Sequence, residues 1–294
     1  MTSHQNHQEL LSGNKCMVQQ RDRLRGVKRI VIITGDEPRH RYFRLLVASD
    51  PRINVLASYC EVPDKAAATD FGSRPDLTLQ EKLHFDARAK SELEFFGNAF
   101  DSMADESNPK WIMRGQINDE LSVAEIEYLE ADLLVCYGSS LIKSSLLKTY
   151  RRKFLNVHLG LSPYYRGSGS NVWPLINREP EFVGATYMHL DEGIDTGEII
   201  HQIRADFVAE DSPHSIGNRL IAKMTRTCCE VIASFSQLNS EIQPIAKGKL
   251  YFIKDFNSEA CAKLYSNFDD GMIVKYLEDL GNICLPVIVE NKGL

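Results

Sequence analysis

The chain has 294 residues, of which 43% are hydrophobic, so it is long and apolar enough for one large globular domain with an appendage. Its 34 basic and 40 acidic residues give a formal net charge of -6, which argues against nucleic acid or an anionic membrane as a partner and favours small molecules. The seven cysteines have neither metal-ligand spacing nor a compact disulfide framework, so we expect a reducing compartment and no metal site.

The N-terminal 26 residues differ from the rest of the chain. They are polar and basic and lack the apolar core of a signal peptide. No later segment has the roughly 20 apolar residues needed to span a bilayer. We therefore expect residues 1–26 to form a flexible tail, and the protein to be cytoplasmic.

A β-α-β pattern follows the tail. The short β-branched run from Arg29 to Thr34 predicts a strand buried on both faces. Pro38 predicts the start of a helix that continues to about Ala48, and residues 53–62 return to strand-like composition.

Helices and strands alternate through the middle of the chain. Thr78 and Glu81 form a capping-box pattern ahead of a long amphipathic helix. Asn118 is predicted to cap a second helix that ends near Glu130. Residues 131–137 and 154–158 have the composition of buried strands.

Two more strands, predicted over residues 184–190 and 197–205, precede a helix that begins at Ser212-Pro213. Together the elements predict an α/β fold, with a Rossmann-like, mostly parallel sheet and helices on both faces. Residues 27–240 would form this main domain. The shorter pattern of residues 241–294 predicts a small C-terminal appendage.

The residues with the clearest chemical meaning lie after residue 155. Asn156 and His158 are two residues apart in a predicted strand, so both side chains point to the same face. Asp195 lies in a separate loop between Gly193 and Gly197, and glycines there permit sharp turns and close approach of a ligand. This pattern indicates a site.

The same residues carry a resemblance to a known family. The chain shows Asn156-Val-His158, then Ser162-Pro-Tyr-Tyr-Arg-Gly167, then Asp195-Thr-Gly197, with a matching strand and loop over residues 132–138. In this order and spacing they resemble the folate-dependent formyltransferase family, and most closely its sugar N-formyltransferases. The resemblance implies transfer of a formyl group from the co-substrate 10-formyltetrahydrofolate to a primary amine.

Site residues follow from the resemblance and from position in the predicted sheet. The predicted catalytic residues are Asn156, His158 and Asp195. The predicted folate-binding residues are Tyr137, Gly138, Leu141, Asp191 and Gly193. The predicted acceptor-binding residues are Arg39, Arg41, Tyr165 and Arg166, of which the first two follow the first strand and suit a diphosphate because Arg offers forked donors.

Each catalytic residue meets one need of formyl transfer. Asn156 can donate to the oxygen that becomes negative, which is worth about 2.7 to 4 kcal/mol for comparable donors. His158 can stabilise that oxygen or move a proton, and Asp195 can orient His158 and relay a proton from the amine. The order of proton transfers stays open.

One departure from the family's pattern concerns the strand after residue 184. Many relatives have a histidine two residues after the threonine of the Gly-x-Thr strand, where this chain has Met188 followed by His189. Neighbouring strand residues face opposite ways, so His189 is not an automatic replacement.

Several acceptors remain as alternatives. The segment Gly35-Asp36-Glu37-Pro38 does not match the phosphate loop of glycinamide ribonucleotide enzymes. The acidic balance and short tail argue against methionyl-tRNA, and the polar N-terminus does not supply the regulatory domain of formyltetrahydrofolate hydrolases. We expect the acceptor to be a nucleotide-linked amino sugar, and the alternative acceptor is a hydroxyornithine-type siderophore precursor. The alternative function is that of a non-catalytic folate-binding sensor. A homodimer is also possible.

Overall fold

The structure is a computed structural model, and it describes residues 26–63, 76–244 and 248–294. The predicted tail therefore lies almost wholly outside the described residues. The strands are β1 Lys28–Gly35, β2 Ile53–Val62, β3 Pro109–Met113, β4 Leu133–Tyr137, β5 Phe154–His158, β6 Tyr165–Gly167, β7 Gly184–His189, β8 Ile199–Arg204 and β9 Lys249–Tyr251. The α-helices are α1 Pro38–Ala48, α2 Leu79–Ser102, α3 Glu120–Leu129, α4 Ser144–Thr149, α5 Trp173–Ile176, α6 Pro213–Ser234, α7 Ser258–Asp269 and α8 Met272–Glu278.

The main sheet has seven strands in the order β3-β2-β1-β4-β5-β7-β8. The first five run parallel, whereas β7 is antiparallel to β5 and β8 is antiparallel to β7. Central strands β1 and β4 are almost completely buried, as expected for parallel strands covered on both faces. The predicted α/β fold with a mostly parallel Rossmann-like sheet is confirmed.

The helix boundaries follow local sequence signals. Thr78 caps α2 and forms a capping box with Glu81, as predicted. Ser212 and Ser215 cap α6 in the same way, with Pro213 at its first position. The prediction for α3 was wrong in one residue, because its N-terminal cap position is Asp119 and Asn118 ends the 3₁₀ turn Gln116–Asn118.

Two apolar clusters cover the two faces of the sheet. One contains Ile30 and Ile32 of β1 with Phe43 of α1, Phe96 of α2 and Met224 of α6. The other contains the alternate β1 residues and side chains of α3 and α4. The alternation along β1 therefore directs successive side chains to opposite layers.

The predicted appendage packs against the main domain. Strand β9 pairs in parallel with β6, and Tyr251 stacks on Trp173 with ring centroids 4.1 Å apart. At the other end, the amide of Gln202 in β8 donates to the carbonyl of Val289 at 2.8 Å, so the last residues cover the outer edge of β8. No helix in the described ranges is both long enough and apolar enough to span a membrane.

Candidate active site

Asn156, His158 and Asp195 meet at the end of β5. Asn156 Nδ2 donates to Asp195 Oδ1 at 3.0 Å, and His158 Nδ1 lies 3.3 Å from Asp195 Oδ2. The side chains of His158 and Asp195 are 8% and 12% exposed, so the pair is largely shielded from solvent. The structure thus brings the three predicted catalytic residues together from two separate segments.

The second ring nitrogen of His158 also faces an oxygen atom. Nε2 lies 3.1 Å from the carbonyl oxygen of Tyr165, the first residue of β6, which follows the loop after β5. A neutral imidazole has one N–H, whereas an imidazolium has two. Both ring nitrogens of His158 therefore lie beside oxygen atoms that can accept a hydrogen bond. The hydroxyl of Thr186 donates to the Gly160 carbonyl at 2.7 Å and thereby holds the start of this loop.

The loop that carries Asp195 has an unusual backbone. Asp195 has a φ of 52°, in the left-handed region that few non-glycine residues adopt. Its Oδ2 accepts a hydrogen bond from the Gly167 amide at 2.8 Å. A Cβ at Gly197 would lie 1.8 Å from the carbonyl oxygen of His189, so only glycine lets the loop pass so close to β7.

The three side chains line a cavity of about 1000 Å³. Its walls come from the carboxyl ends of β1, β4 and β5, from α2, from the loop over residues 190–195 and from the start of α6. Ligands of α/β proteins usually bind beyond the carboxyl ends of strands. Its volume lies at the upper end of the range of about 300–1000 Å³ that is typical of small-ligand pockets.

All five residues predicted to bind the folate line this cavity, namely Tyr137, Gly138, Leu141, Asp191 and Gly193. Leu141 is 66% exposed and offers an apolar surface to a ligand ring. Tyr137 is 3% exposed, and among the described residues its hydroxyl has no hydrogen-bond partner. Asp191 Oδ1 accepts from the Gly193 amide at 3.0 Å, so this carboxylate braces its own loop.

Glu61, which the sequence did not single out, holds the loop after β4. It is 1% exposed, and its carboxylate accepts hydrogen bonds from the Ser140 hydroxyl at 2.7 Å and the Gly115 amide at 2.8 Å. Asn118 helps by accepting from the Lys143 amide at 2.7 Å. Glu61 lies near the carboxyl end of β2, and this position was the available signal.

Arg39, which was predicted to bind a diphosphate of the acceptor, is paired with two carboxylates in the structure. Its guanidinium lies 2.9 Å from Glu92 and 2.6 Å from Glu37, and its side chain is 12% exposed. Burial opposes the charged form, but the two carboxylates outweigh it and raise the pKa of Arg39 above its ordinary value. Arg39 lines the cavity, yet its charge is already neutralised.

The other three residues predicted to bind the acceptor are not part of the cavity lining. The guanidinium of Arg41 packs over the ring of Phe100, 4.5 Å from its centroid. Tyr165 is 1% exposed, and Arg166 donates to the carbonyl of Ile194 at 3.4 Å. Tyr165 and Arg166 support the loops that carry the site, and direct contact of these three residues with the acceptor stays a prediction.

Two neighbouring histidines, the buried His84 and the half-buried His214, form a further part of the cavity wall that the sequence did not indicate. His84 Nδ1 lies 3.1 Å and His214 Nε2 lies 3.4 Å from the hydroxyl of Tyr265, and both histidines line the cavity. Burial lowers the pKa of His84 to about 3 and that of His214 to about 4, and the charge of Arg88 acts in the same direction. Both imidazoles are therefore neutral hydrogen-bonding groups at neutral pH.

The departure at Met188 is also visible in the sheet. Met188 pairs with Asn156 across β5 and β7 and is 0% exposed, so an apolar side chain lies on that face. His189 pairs with Leu155 and its ring contacts Phe235 at 5.6 Å. His189 thus lies on the opposite face and does not substitute for a histidine beside Asn156.

Comparison with known sequences identifies the family of this site. A model of the family described as formyl transferase matches residues 86–232, which is half of the chain. A methionyl-tRNA formyltransferase of Agathobacter rectalis is 35% identical over 126 residues, covering 41% of this chain and 40% of that protein. A GDP-perosamine N-formyltransferase of Brucella melitensis is 34% identical over 112 residues, covering 38% and 43%. The aligned segments thus span about two fifths of the relatives' lengths.

The fold is also similar to solved structures. A sugar N-formyltransferase from Shewanella sp. aligns with a TM-score of 0.51 at 19% identity, covering 78% of each chain. At this identity the likeness concerns the fold alone. Within the ranges that the structure describes, no cluster of three or more His, Cys, Asp or Glu side chains is arranged to hold a metal ion.

Proposed function

This chain belongs to the formyl transferase family, and from that premise we propose that it formylates the amine of a nucleotide-linked amino sugar. The formyl donor of the family is 10-formyltetrahydrofolate. The observation that carries the proposal is the contact of Asn156 and His158 with the carboxylate of Asp195 at one wall of a cavity of about 1000 Å³.

The geometry assigns a task to each catalytic side chain. One N–H of the Asn156 amide is used by Asp195, which leaves the second for the formyl oxygen as it becomes negative. The imidazole of His158 lies beside the same site and stabilises that oxygen. The Asp195 carboxylate fixes both groups and is the base that takes the proton of the attacking amine.

The reaction balances with these groups alone. The amine nitrogen forms a bond to the formyl carbon, and the bond from that carbon to the folate nitrogen breaks. The amine gives a proton to Asp195, and the protonated carboxyl of Asp195 gives a proton to the departing folate nitrogen. The folate leaves as tetrahydrofolate and the acceptor leaves as a formamide.

The donor is assigned to the part of the cavity around the loop after β4. Leu141 offers apolar surface there, and Arg114 donates to the carbonyls of Gly138 and Ser139 at 3.5 and 3.4 Å. Among the described residues Arg114 has no carboxylate partner, so its charge is available to the anionic glutamyl end of a folate.

The acceptor is assigned to the part of the cavity lined by α2 and the start of α6. The neutral imidazoles of His84 and His214 each offer donor or acceptor nitrogens that suit sugar hydroxyls. Arg88 pairs with Glu92 through Nε at 3.0 Å, and in the proposal its terminal nitrogens make the phosphate contact first assigned to Arg39. The Brucella relative, which is named for a nucleotide-linked sugar, supports this class of acceptor.

The test is a formylation screen with 10-formyltetrahydrofolate. The panel contains nucleotide-linked amino sugars, the matching free amino sugars, hydroxyornithine and methionyl-tRNA, with product masses as the readout. We expect formylation of a nucleotide-linked amino sugar, and much slower reaction of the free sugar because the nucleotide supplies binding energy. Formylation of hydroxyornithine or methionyl-tRNA alone would refute the acceptor but leave the transferase assignment intact.

A matched pair of variants locates the nucleotide. Arg88→Met removes the proposed phosphate contact, and the control Arg151→Met removes an exposed arginine that does not line the cavity. We expect the first variant to raise the KM for the nucleotide-linked sugar about tenfold or more, in the range of one lost charge-assisted contact, with little change for the free sugar. Equal KM values for both variants would contradict this placement.

A further inference from the structure

Gln243 connects the C-terminal segment to the loop of the catalytic aspartate. Its side-chain amide nitrogen donates to the carbonyl oxygen of Asp195 at 3.0 Å and to that of Gly197 at 2.6 Å. Gln243 is 4% exposed. Both hydrogens of the Gln243 amide are therefore bonded to the loop of the catalytic aspartate, one to Asp195 and one to Gly197.

The orientation of this amide is unambiguous. A flipped amide would place its oxygen against two carbonyl oxygens, and both hydrogen bonds would be lost. The side-chain oxygen of Gln243 has no hydrogen-bond partner among the residues that the structure describes. A buried oxygen without a partner carries a free-energy cost, which the two donated bonds offset.

The Asp195 loop needs an external restraint. Asp195 has a φ of 52°, and such left-handed conformations persist in non-glycine residues only where surrounding contacts impose them. Asn156 and the Gly167 amide hold the carboxylate, at 3.0 and 2.8 Å, but neither holds the backbone. Gln243 supplies the backbone contact.

The C-terminal segment also holds Gly167, whose amide donates a hydrogen bond to the carboxylate of Asp195. Gly167 pairs with Tyr251 in the β6–β9 ladder, and a Cβ at Gly167 would lie 2.1 Å from the carbonyl oxygen of Tyr251. The amide of Ser168 donates to this carbonyl at 2.8 Å. Contacts from the C-terminal segment therefore reach Asp195 from its backbone and, through Gly167, from its carboxylate.

We propose that Gln243 is a positioning residue that sets the carboxylate of Asp195 against Asn156 and His158, so that the C-terminal segment completes the active site. This inference rests on the proposed formyl transfer for its kinetic consequence. It assigns a role in catalysis to Gln243 and to strand β9, both of which lie in the segment that the sequence predicts to be a separate appendage.

The main test compares Gln243→Met with Ile242→Ala. The methionine side chain is similar in length to that of glutamine but has no hydrogen-bond donor. Ile242 is the control because it is the neighbouring residue and its side chain is 85% exposed. We expect Gln243→Met to lower kcat about 10- to 100-fold, because small misplacements of a catalytic group have effects of that order. The KM values for both substrates and the affinity for tetrahydrofolate should change less than about twofold, and Ile242→Ala should match the wild type. A lower melting temperature with unchanged kcat per folded molecule would overturn the proposal.

A second variant, Gln243→Glu, serves if the methionine variant does not fold. An ionised carboxylate repels the two carbonyls, whereas a protonated carboxyl donates one hydrogen bond. The ratio of variant to wild-type kcat should therefore rise as the pH falls, and a ratio independent of pH would overturn the proposal.

Hydrogen exchange separates this inference from the proposed function. The Gly167 amide, which donates to Asp195, should exchange faster in Gln243→Met than in Ile242→Ala, whatever reaction the protein catalyses. Unchanged exchange refutes the positioning role. If the Gly167 amide exchanges faster in Gln243→Met but the wild type transfers no formyl group, the positioning role is supported and only the proposed function is refuted.

Discussion

Asp195→Asn is the substitution that most directly separates the two roles assigned to the carboxylate. Asp195 accepts hydrogen bonds from Asn156 at 3.0 Å and from Gly167 at 2.8 Å, and it lies 3.3 Å from His158. An amide keeps one acceptor oxygen, which can stay with Gly167 and His158, whereas its NH₂ then faces the Nδ2 donor of Asn156 and that hydrogen bond is lost. The variant therefore keeps the shape of the site but loses the negative charge and the base.

The expected magnitude depends on what the charge does. Hydrogen bonds to charged groups are worth about 1.5–3 kcal/mol against about 0.5–1.5 for neutral ones, so loss of orientation alone would slow the reaction roughly tenfold. Loss of a proton-transfer group costs about 10²- to 10⁴-fold. Because Asp195 is proposed to take the proton of the amine, we expect kcat to fall by at least about 10²-fold.

The assay is single-turnover formyl transfer with both substrates saturating, alongside urea denaturation of each protein. Asp206→Asn is the control, since this aspartate pairs with Lys223 at 2.9 Å and does not line the main cavity. We expect normal turnover for the control and a change of less than about 1 kcal/mol in unfolding free energy for Asp195→Asn, as is typical of a volume-conserving change at a partly exposed site. A folded Asp195→Asn enzyme within about threefold of wild-type kcat would refute the reasoning, since even orientation alone predicts more.

Three further predictions concern stability. Gly197→Ala places a Cβ 1.8 Å from a backbone oxygen and should lower the unfolding free energy by about 1–3 kcal/mol in urea, whereas Gly281→Ala, with no atom within 4 Å, should change it little. Arg39→Met leaves the buried carboxylate of Glu92 without one partner and should cost about 3 kcal/mol in the same assay, so a loss below 1 kcal/mol would contradict the buried pair. His84 has its pKa lowered from 6.5 to about 3, so the unfolded state binds its proton first and stability falls as the pH drops through that window. His84→Asn should reduce that slope by up to about 1.4 kcal/mol per pH unit, and an unchanged slope would exclude His84 as its source.

The parts of the fold that were predictable from sequence depend on short-range signals. Strand β5 has its predicted bounds, Phe154 to His158, because a short apolar run reports burial directly. The capping box of Thr78 and Glu81 predicted the start of α2 in the same way. Asn156 and His158 were found because alternation in a strand is a local rule.

The features that the sequence did not predict depend on contacts between distant parts of the chain. Arg39 has the right position for a phosphate contact, but Glu92, on another helix, takes its charge. Asn118 is a residue type that often caps helices, yet its side-chain oxygen accepts a hydrogen bond from the amide of Lys143, about 25 residues away in sequence. Gln243 carried no motif at all. Partner choice of this kind depends on the tertiary arrangement, which local propensity does not encode.

The central claim is that the Asn156–His158–Asp195 site moves a formyl group directly from folate to an amine. The measurement that tests it most directly uses 10-formyltetrahydrofolate labelled at the formyl carbon, with a nucleotide-linked amino sugar as acceptor. We expect the label to appear in the formamide of the product in equal amount to the tetrahydrofolate released, and to do so in the wild type but not in His158→Ala. Label released as formate, or no loss of label from the folate in the folded wild-type protein, would contradict the claim.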